Sequence, residues 1–105
     1  MEEKIFLSLD NEHEINTSII DDISWFQIIK FNPEKPKTFI LLIKEVIDHF
    51  RKKNILYIKQ TISKDDVPYF KNSNINEIDE FTYIISTPIS KFIDDLVCAL
   101  GIKLV

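Results

Sequence analysis

The chain has 105 residues, of which 45% are hydrophobic and 29% are charged, and its formal net charge is -4. This length allows one hydrophobic core, so we expect a single globular domain spanning residues 1–105. The acidic balance disfavours DNA binding, which needs a basic surplus, and the single Cys98 excludes both an internal disulfide and a thiolate metal site.

The N-terminal part predicts two strands. Residues 4–10 alternate Ile5, Leu7 and Leu9 on one side, which is typical of a strand. Residues 23–31, "ISWFQIIKF", are apolar on both faces and predict a central strand, with Trp25 or Phe26 facing away from the helices. The segment between them, "NEHEINTSIIDD", is too polar for a tight hairpin and fits a connection with a short helical turn.

The clearest helix covers residues 38–53. Pro36 suits its first turn, and charged residues such as Lys44 and Asp48 follow one side. The apolar positions fall on one helical stripe, which predicts a buried face: Phe39, Leu42, Ile43, Val46, Ile47 and Phe50.

The C-terminal part predicts two further strands and a second helix. Residues 54–63 form a third strand with Leu56, Ile58 and Ile62 facing one way, 64–73 a short helix or turn, and 80–86 a fourth strand. A second apolar stripe over 89–100 ends at Gly101, a typical helix stop, and 102–105 leave room for a last short strand. The order ββαββα predicts an α+β fold, with two helices on one face of a four- to five-stranded mixed sheet.

The junction between the fourth strand and the second helix, Ser86 to Pro88, lies where many α/β proteins bind phosphate or display a nucleophile. Thr87 followed by Pro88 is a typical helix start, because a hydroxyl caps free N–H groups and proline fits the first position. Phosphate loops need glycines, and Gly101 is the only glycine of the chain. We therefore favour a structural cap over a ligand site, and expect no nucleotide or acetyl-CoA binding.

No residue pattern predicts catalysis or metal binding. "DNEHE" has the alternating acids of a calcium loop, but Ile15 stands where the loop needs glycine and Asp21 where it needs glutamate. His13 and His49 have no partner at metal-ligand spacing and are expected at the surface, and the Asp94–Asp95 pair is expected to be solvated and cheap to replace. We therefore expect no catalytic residue, no cofactor, no metal and no small-molecule substrate, and thus no enzyme.

Apolar side chains in polar surroundings indicate a docking surface. Leu41 lies on the charged side of the first helix, and aromatic residues in "KDDVPYFKNS" suit a protein contact, although these rings could instead pack under the sheet edge. A basic cluster at the end of the helix would supply steering charge. The predicted partner-binding residues are Leu41, Arg51, Lys52, Lys53, Tyr69 and Phe70.

Residues 24–70, "SWFQIIKF" to "DDVPYF", resemble in element order and apolar spacing the strand–helix–strand core shared by acetyltransferases and ornithine decarboxylase antizyme. This resemblance covers under half of the chain. Because the glycine loop of the acetyltransferases is missing, it implies a protein binder like antizyme, a stoichiometric inhibitor of a metabolic enzyme.

Composition adds a second resemblance. The chain has 20 isoleucines and 12 lysines against one arginine, a bias typical of an AT-rich genome. In size and in this bias it is similar to the ribosome dormancy (hibernation) factors of microsporidia, which occupy functional sites on idle ribosomes. This resemblance implies a non-enzymatic regulator of translation with the ribosome as partner, which is our leading expectation; the antizyme-like inhibitor is the alternative, and a small enzyme with a carboxylate site ranks third.

Location in the cell is predicted from what the chain lacks. No apolar run approaches the length of a membrane span, and the N-terminal "MEEKIF" is acidic where a secretory signal would be basic. We therefore expect a cytoplasmic protein without a membrane partner.

Overall fold

The computed structural model describes residues 1–21 and 23–102, which form an α+β fold with a six-stranded mixed sheet. The fold also contains two α-helices and two 3₁₀ segments; the segment Lys64–Tyr69 lies between two strands, and Ile89–Lys91 directly precedes the second α-helix. The strands are β1 (Glu2–Leu7), β2 (Glu14–Ile20), β3 (Ile23–Lys30), β4 (Tyr57–Ser63), β5 (Asn74–Glu77) and β6 (Thr82–Pro88), and the helices are α1 (Pro36–Lys52) and α2 (Phe92–Leu100).

The strand order in the sheet is β1-β2-β3-β4-β6-β5. Only β3 and β4 are parallel, and α1 supplies the long crossover that a parallel pair needs. Their ladder is limited to the pairs Ser24–Ile58 and Trp25–Lys59, whereas β4 and β6 pair over seven residues. The sheet therefore consists of two antiparallel halves, β1–β2–β3 and β4–β6–β5, joined at a short parallel seam.

Both α-helices cover the same face of the sheet, because their buried side chains form one cluster with Phe26 of β3 and Ile58 of β4. Phe26 meets Phe92 of α2 edge to face, with ring centroids 4.9 Å apart. All six residues of the predicted α1 stripe are buried, and Gly101, with a φ of 65°, ends α2 in the left-handed conformation. These predictions are confirmed, and the opposite face of the sheet, which no helix covers in the described part of the chain, is called the open face below.

The prediction of four to five strands is wrong, because two of the six strands are rich in polar residues and were not recognised from the sequence. The segment expected to hold a helical turn is β2, in which Ile15 and Thr17 point into the core. Thr17 is buried at little cost because its hydroxyl donates to the carbonyl of Lys4 at 3.0 Å, while its polar neighbours lie on the open face. The second unpredicted strand, β5, is a four-residue edge strand with the polar sequence NINE.

The sides of two predicted strands also differ. In β1 the buried side chain is Phe6, whereas Ile5 and Leu7 are exposed on the other side. Leu56 precedes β4 and is exposed instead of facing the core with Ile58. Of the expected final strand, Ile102 is not in a strand and residues 103–105 lie outside the described residues. Within residues 1–21 and 23–102, no helix has both the length and the apolar character needed to cross a bilayer.

Candidate docking surface

The two halves of the predicted docking surface lie at opposite ends of β4. The exposed Arg51, Lys52 and Lys53 end α1, close to the start of β4, whereas Tyr69 ends the 3₁₀ segment that follows Ser63. A seven-residue strand spans about 20 Å at about 3.3 Å per residue. The structure therefore does not bring Tyr69 and the basic cluster into one contact area.

The two predicted aromatic anchors have different environments. Phe70 is only 4% exposed, whereas Tyr69 is 45% exposed. A buried ring offers no contact area to a partner, so the expectation of Phe70 as a surface anchor is corrected. For Phe70, burial favours the alternative derived from the sequence, in which these rings pack inside the protein.

Leu41 lies where it was predicted, exposed on α1, and it lines a surface groove of about 720 Å³. Leu7 and Leu9, at and just after the end of β1, line the same groove, as do Lys44 and Arg51 of α1. The exposures are 55% for Leu7, 102% for Leu9 and 61% for Leu41. We call these five residues the leucine groove.

The charges beside the leucine groove remain accessible to solvent. Lys52 lies 3.8 Å from Asp48, and Lys53 lies 3.3 Å from Glu2, with every one of these side chains at least 46% exposed. Exposed ion pairs of this kind typically contribute about 0–1 kcal/mol to stability. Lys52 and Lys53 can therefore leave Asp48 and Glu2 and pair with carboxylates of a docking protein at little cost. Arg51 takes part in none of the ion pairs found among the described residues.

His13 is fully buried, not at the surface as expected. Its Nε2 lies 2.8 Å from the carbonyl of Lys35 and 3.1 Å from the hydroxyl of Thr38, and its Nδ1 accepts from the backbone N–H of Asn32 at 3.3 Å. These partners fit the neutral tautomer with the proton on Nε2. His13 therefore fixes the segment that leads into α1, which has no side-chain cap of its own.

The acidic "DNEHE" segment is a turn held by Asp10. Its carboxylate accepts from the hydroxyl of Ser8 at 2.6 Å and from the backbone N–H of Glu12 at 3.1 Å. The Ser8 hydroxyl, followed by that of Thr38, lowers the pKa of Asp10 to about 2. Across residues 1–21 and 23–102, no three His, Cys, Asp or Glu side chains converge as metal ligands.

His49 is half-buried between aromatic rings, again contrary to expectation. Its ring lies 5.5 Å from that of Phe6 and 5.8 Å from that of Phe50, and its Nε2 lies 3.8 Å from the Glu2 carboxylate. Burial, followed by the positive charge of Lys4, lowers the pKa of His49 below its ordinary value of 6.5 despite the attraction of Glu2.

This lowered pKa predicts a pH dependence of stability. As the pH falls below 6.5, the unfolded chain binds a proton at His49 before the folded chain does, so the free energy of unfolding should fall until the folded-state pKa is passed. Urea denaturation between pH 7.5 and about 5 should show this loss, and H49Q should reduce it. Identical pH profiles for the two proteins would show that His49 does not couple folding to protonation.

Thr87 is not a helix cap, which corrects the interpretation of the strand–helix junction. It is fully buried within β6, and α2 begins only at Phe92. Its hydroxyl lies 2.6 Å from that of Ser73, which donates to Asp95 at 2.8 Å. Since Ser73 has one hydroxyl proton and gives it to the carboxylate, Thr87 must be the donor to Ser73.

Asp95 is 2% exposed, not solvated as expected. Besides the Ser73 hydroxyl, its carboxylate accepts from the backbone N–H of Asn72 at 3.0 Å and from the Asn72 side-chain amide at 2.8 Å. We call Asn72, Ser73, Thr87 and Asp95 the Asp95 network. Thr87 and Asp95 are buried, and the network joins α2 to β6 and to the segment before β5.

Beside the parallel seam, a cleft of about 460 Å³ between β3 and β4 reaches the open face. Trp25 lies there, as one of the two predicted alternatives, with the Lys59 ammonium 6.0 Å from its ring centroid. Gln60 lines the same cleft, and its buried side-chain nitrogen has no hydrogen-bond partner among the described residues. Gln60 was not predicted as a site residue. The one sequence signal that could have indicated it is its position between Ile58 and Ile62, where a polar residue falls on the buried side of the strand.

Comparisons with protein-family models, with curated proteins and with solved structures find no match to this chain.

Proposed function

We propose that this chain is a non-enzymatic interaction module that docks on a larger protein or ribonucleoprotein assembly through the leucine groove. The main observation in support is that one groove is lined by three leucines that are each more than half exposed: Leu7, Leu9 and Leu41. Single exposed leucines are ordinary, whereas apolar side chains gathered at one place favour a protein contact.

The distribution of charge favours an acidic partner surface. Residues 34–53 carry six lysine or arginine residues against three acidic residues, in a chain whose net charge is -4. Basic charge is therefore concentrated on α1 and its flanks, next to Leu41. The lining of the groove itself is balanced, because Glu45 and Asp48 lie beside its two basic residues. An acidic partner surface would therefore meet the basic end of α1, residues 51–53, which would accelerate its approach.

A ribosome dormancy factor, which blocks a functional site of idle ribosomes, is one specific form of this proposal. The size and composition of the chain support it, and the basic end of α1 would contact RNA phosphates at the rim while the leucine groove contacts a ribosomal protein. Such a factor would regulate translation in the cytoplasm.

An antizyme-like inhibitor of a metabolic enzyme is the second form, and one observation favours it. β3, α1 and β4 form a parallel strand–helix–strand unit, the element order on which the resemblance to antizyme rests. This form requires a one-to-one complex with the enzyme, in which activity falls in proportion to the protein added.

Two measurements test the proposal. The wild-type protein should co-sediment with ribosomes from the same organism, and L41E should not. L56E, which changes a leucine of similar exposure outside the groove, should sediment like the wild type. Titration of ornithine decarboxylase activity tests the second form with the same variants. If the protein neither sediments with ribosomes nor inhibits the enzyme, both specific forms are wrong; if it does either and L41E behaves like L56E, the leucine groove is not the docking surface.

A further inference from the structure

β1 is an edge strand of the sheet, and no strand within residues 1–21 and 23–102 pairs with its outer side. It is the first strand in the sheet order, and β2 is its neighbour on the inner side. Unpaired backbone N–H and C=O groups along an edge are a template for another strand.

The pairing with β2 identifies the outward groups. The backbone N–H of Ser8 donates to the carbonyl of His13 at 3.1 Å, which continues the register of Lys4 with Thr17 and Phe6 with Ile15. In an antiparallel ladder, hydrogen-bonded pairs alternate with pairs that are not hydrogen-bonded. Lys4 and Phe6 therefore bond to β2, and the backbone groups of three residues point outward: Glu3, Ile5 and Leu7.

The outward backbone groups of Glu3, Ile5 and Leu7 can pair with the same groups of a second copy of the chain. In an antiparallel pair of two β1 strands centred on Ile5, Ile5 faces Ile5 of the second copy, and Glu3 faces Leu7, so that all the outward groups meet partners. Centring the pair on Glu3 would place two glutamates opposite each other, which is unfavourable. Centring it on Leu7 would place Glu3 opposite Asn11, beyond the end of the strand.

We propose that two copies of this chain pair antiparallel along β1, centred on Ile5, to form a continuous twelve-stranded sheet. The pairing would cover Ile5, whose side chain is 61% exposed, and would place Lys4 opposite Phe6 of the second copy on the helix-covered side. Lys4 already lies over its own Phe6, with the ammonium 4.8 Å from the ring centroid. Because Leu7 also lines the leucine groove, the test of this proposal uses Ile5 alone.

Sedimentation equilibrium from about 1 µM to 1 mM tests the dimer. The wild type should show a dimer fraction that rises with concentration. I5P removes the central outward N–H and leaves the bonds to β2 in place, and I5K places two positive charges opposite each other; each should weaken association at least tenfold. I29K, which changes an exposed isoleucine on the interior strand β3, should associate like the wild type.

Hydrogen exchange of the wild type gives a second readout that needs no variant. The amides of Lys4 and Phe6 should be protected at every concentration, whereas those of Glu3, Ile5 and Leu7 should gain protection as the concentration rises. A monomer up to 1 mM would overturn the proposal. So would a dimer that I5K leaves intact and that leaves the three outward amides unprotected, because another surface would then join the copies.

Discussion

F92A is expected to lower the free energy of unfolding by about 3–5 kcal/mol, the usual cost of truncating a buried aromatic residue. Phe92 is fully buried at the start of α2, and its contact with Phe26 ties this helix to β3. Since a domain of this kind is stable by about 5–15 kcal/mol, the loss is a large fraction of the total. The partial collapse of neighbouring side chains will decide where in that range the value falls.

The matched control is F81A. Phe81 is 74% exposed, so the same change should alter the free energy of unfolding by no more than about 0.5 kcal/mol. Urea denaturation followed by the fluorescence of Trp25, the only tryptophan, measures both variants. Equal midpoints for F92A and F81A would show that α2 does not pack on the sheet as described.

D95A is expected to cost about 1–3 kcal/mol, because it removes a carboxylate that is only 2% exposed and accepts part-buried hydrogen bonds from Asn72 and Ser73. The Asp95 network joins α2 to the segment before β5. Loss of the carboxylate should therefore loosen residues 72–73 together with α2.

The neighbouring carboxylate provides the control. Asp94 is exposed, so D94A should cost less than about 1 kcal/mol through its weak interaction with the N-terminal end of α2. The sequence predicts that both substitutions are cheap, whereas the structure predicts that they differ. Equal urea midpoints for D94A and D95A would favour the interpretation based on sequence.

Apolar periodicity predicted the elements that bury apolar side chains. The stripe from Phe39 to Phe50 defines α1 because leucine, isoleucine and phenylalanine recur at helical spacing with charged residues between them. The strand over 23–31 and the helix stop at Gly101 followed from equally local patterns. For α1 and the strand, burial of apolar side chains determines the sequence pattern, whereas at Gly101 the left-handed backbone conformation does.

Buried polar residues could not be predicted in this way. His13 is satisfied by Lys35, 22 positions away, and Asp95 by Asn72, 23 positions away, so no local pattern distinguishes them from solvated residues. β2 was missed for the same reason, because the partner of Thr17 is the carbonyl of Lys4 in another strand.

The candidate site was predicted in part. Leu41 stood out because it interrupts the charged side of α1, a local signal. Its neighbours Leu7 and Leu9 were assigned to an apolar side of β1, and only the approach of α1 to the end of that strand brings them together. Tyr69 and Phe70 are adjacent in sequence, and which ring is buried depends on the path of the 3₁₀ segment.

The parallel seam has a consequence for the order in which the molecule folds. The strands of β1–β2–β3 are near one another in the chain, and β4 can begin to pair with β6 at Ser63 and Thr82, 19 positions apart, whereas Ser24 and Ile58, which pair at the seam, are 34 positions apart. Closing so long a loop costs chain entropy before any contact repays it. With two residue pairs to gain, the seam is expected to close late, after both halves and α1 have formed. The parallel seam should also open first on unfolding. Each half of the sheet should then behave as a separate cooperative unit in native-state hydrogen exchange.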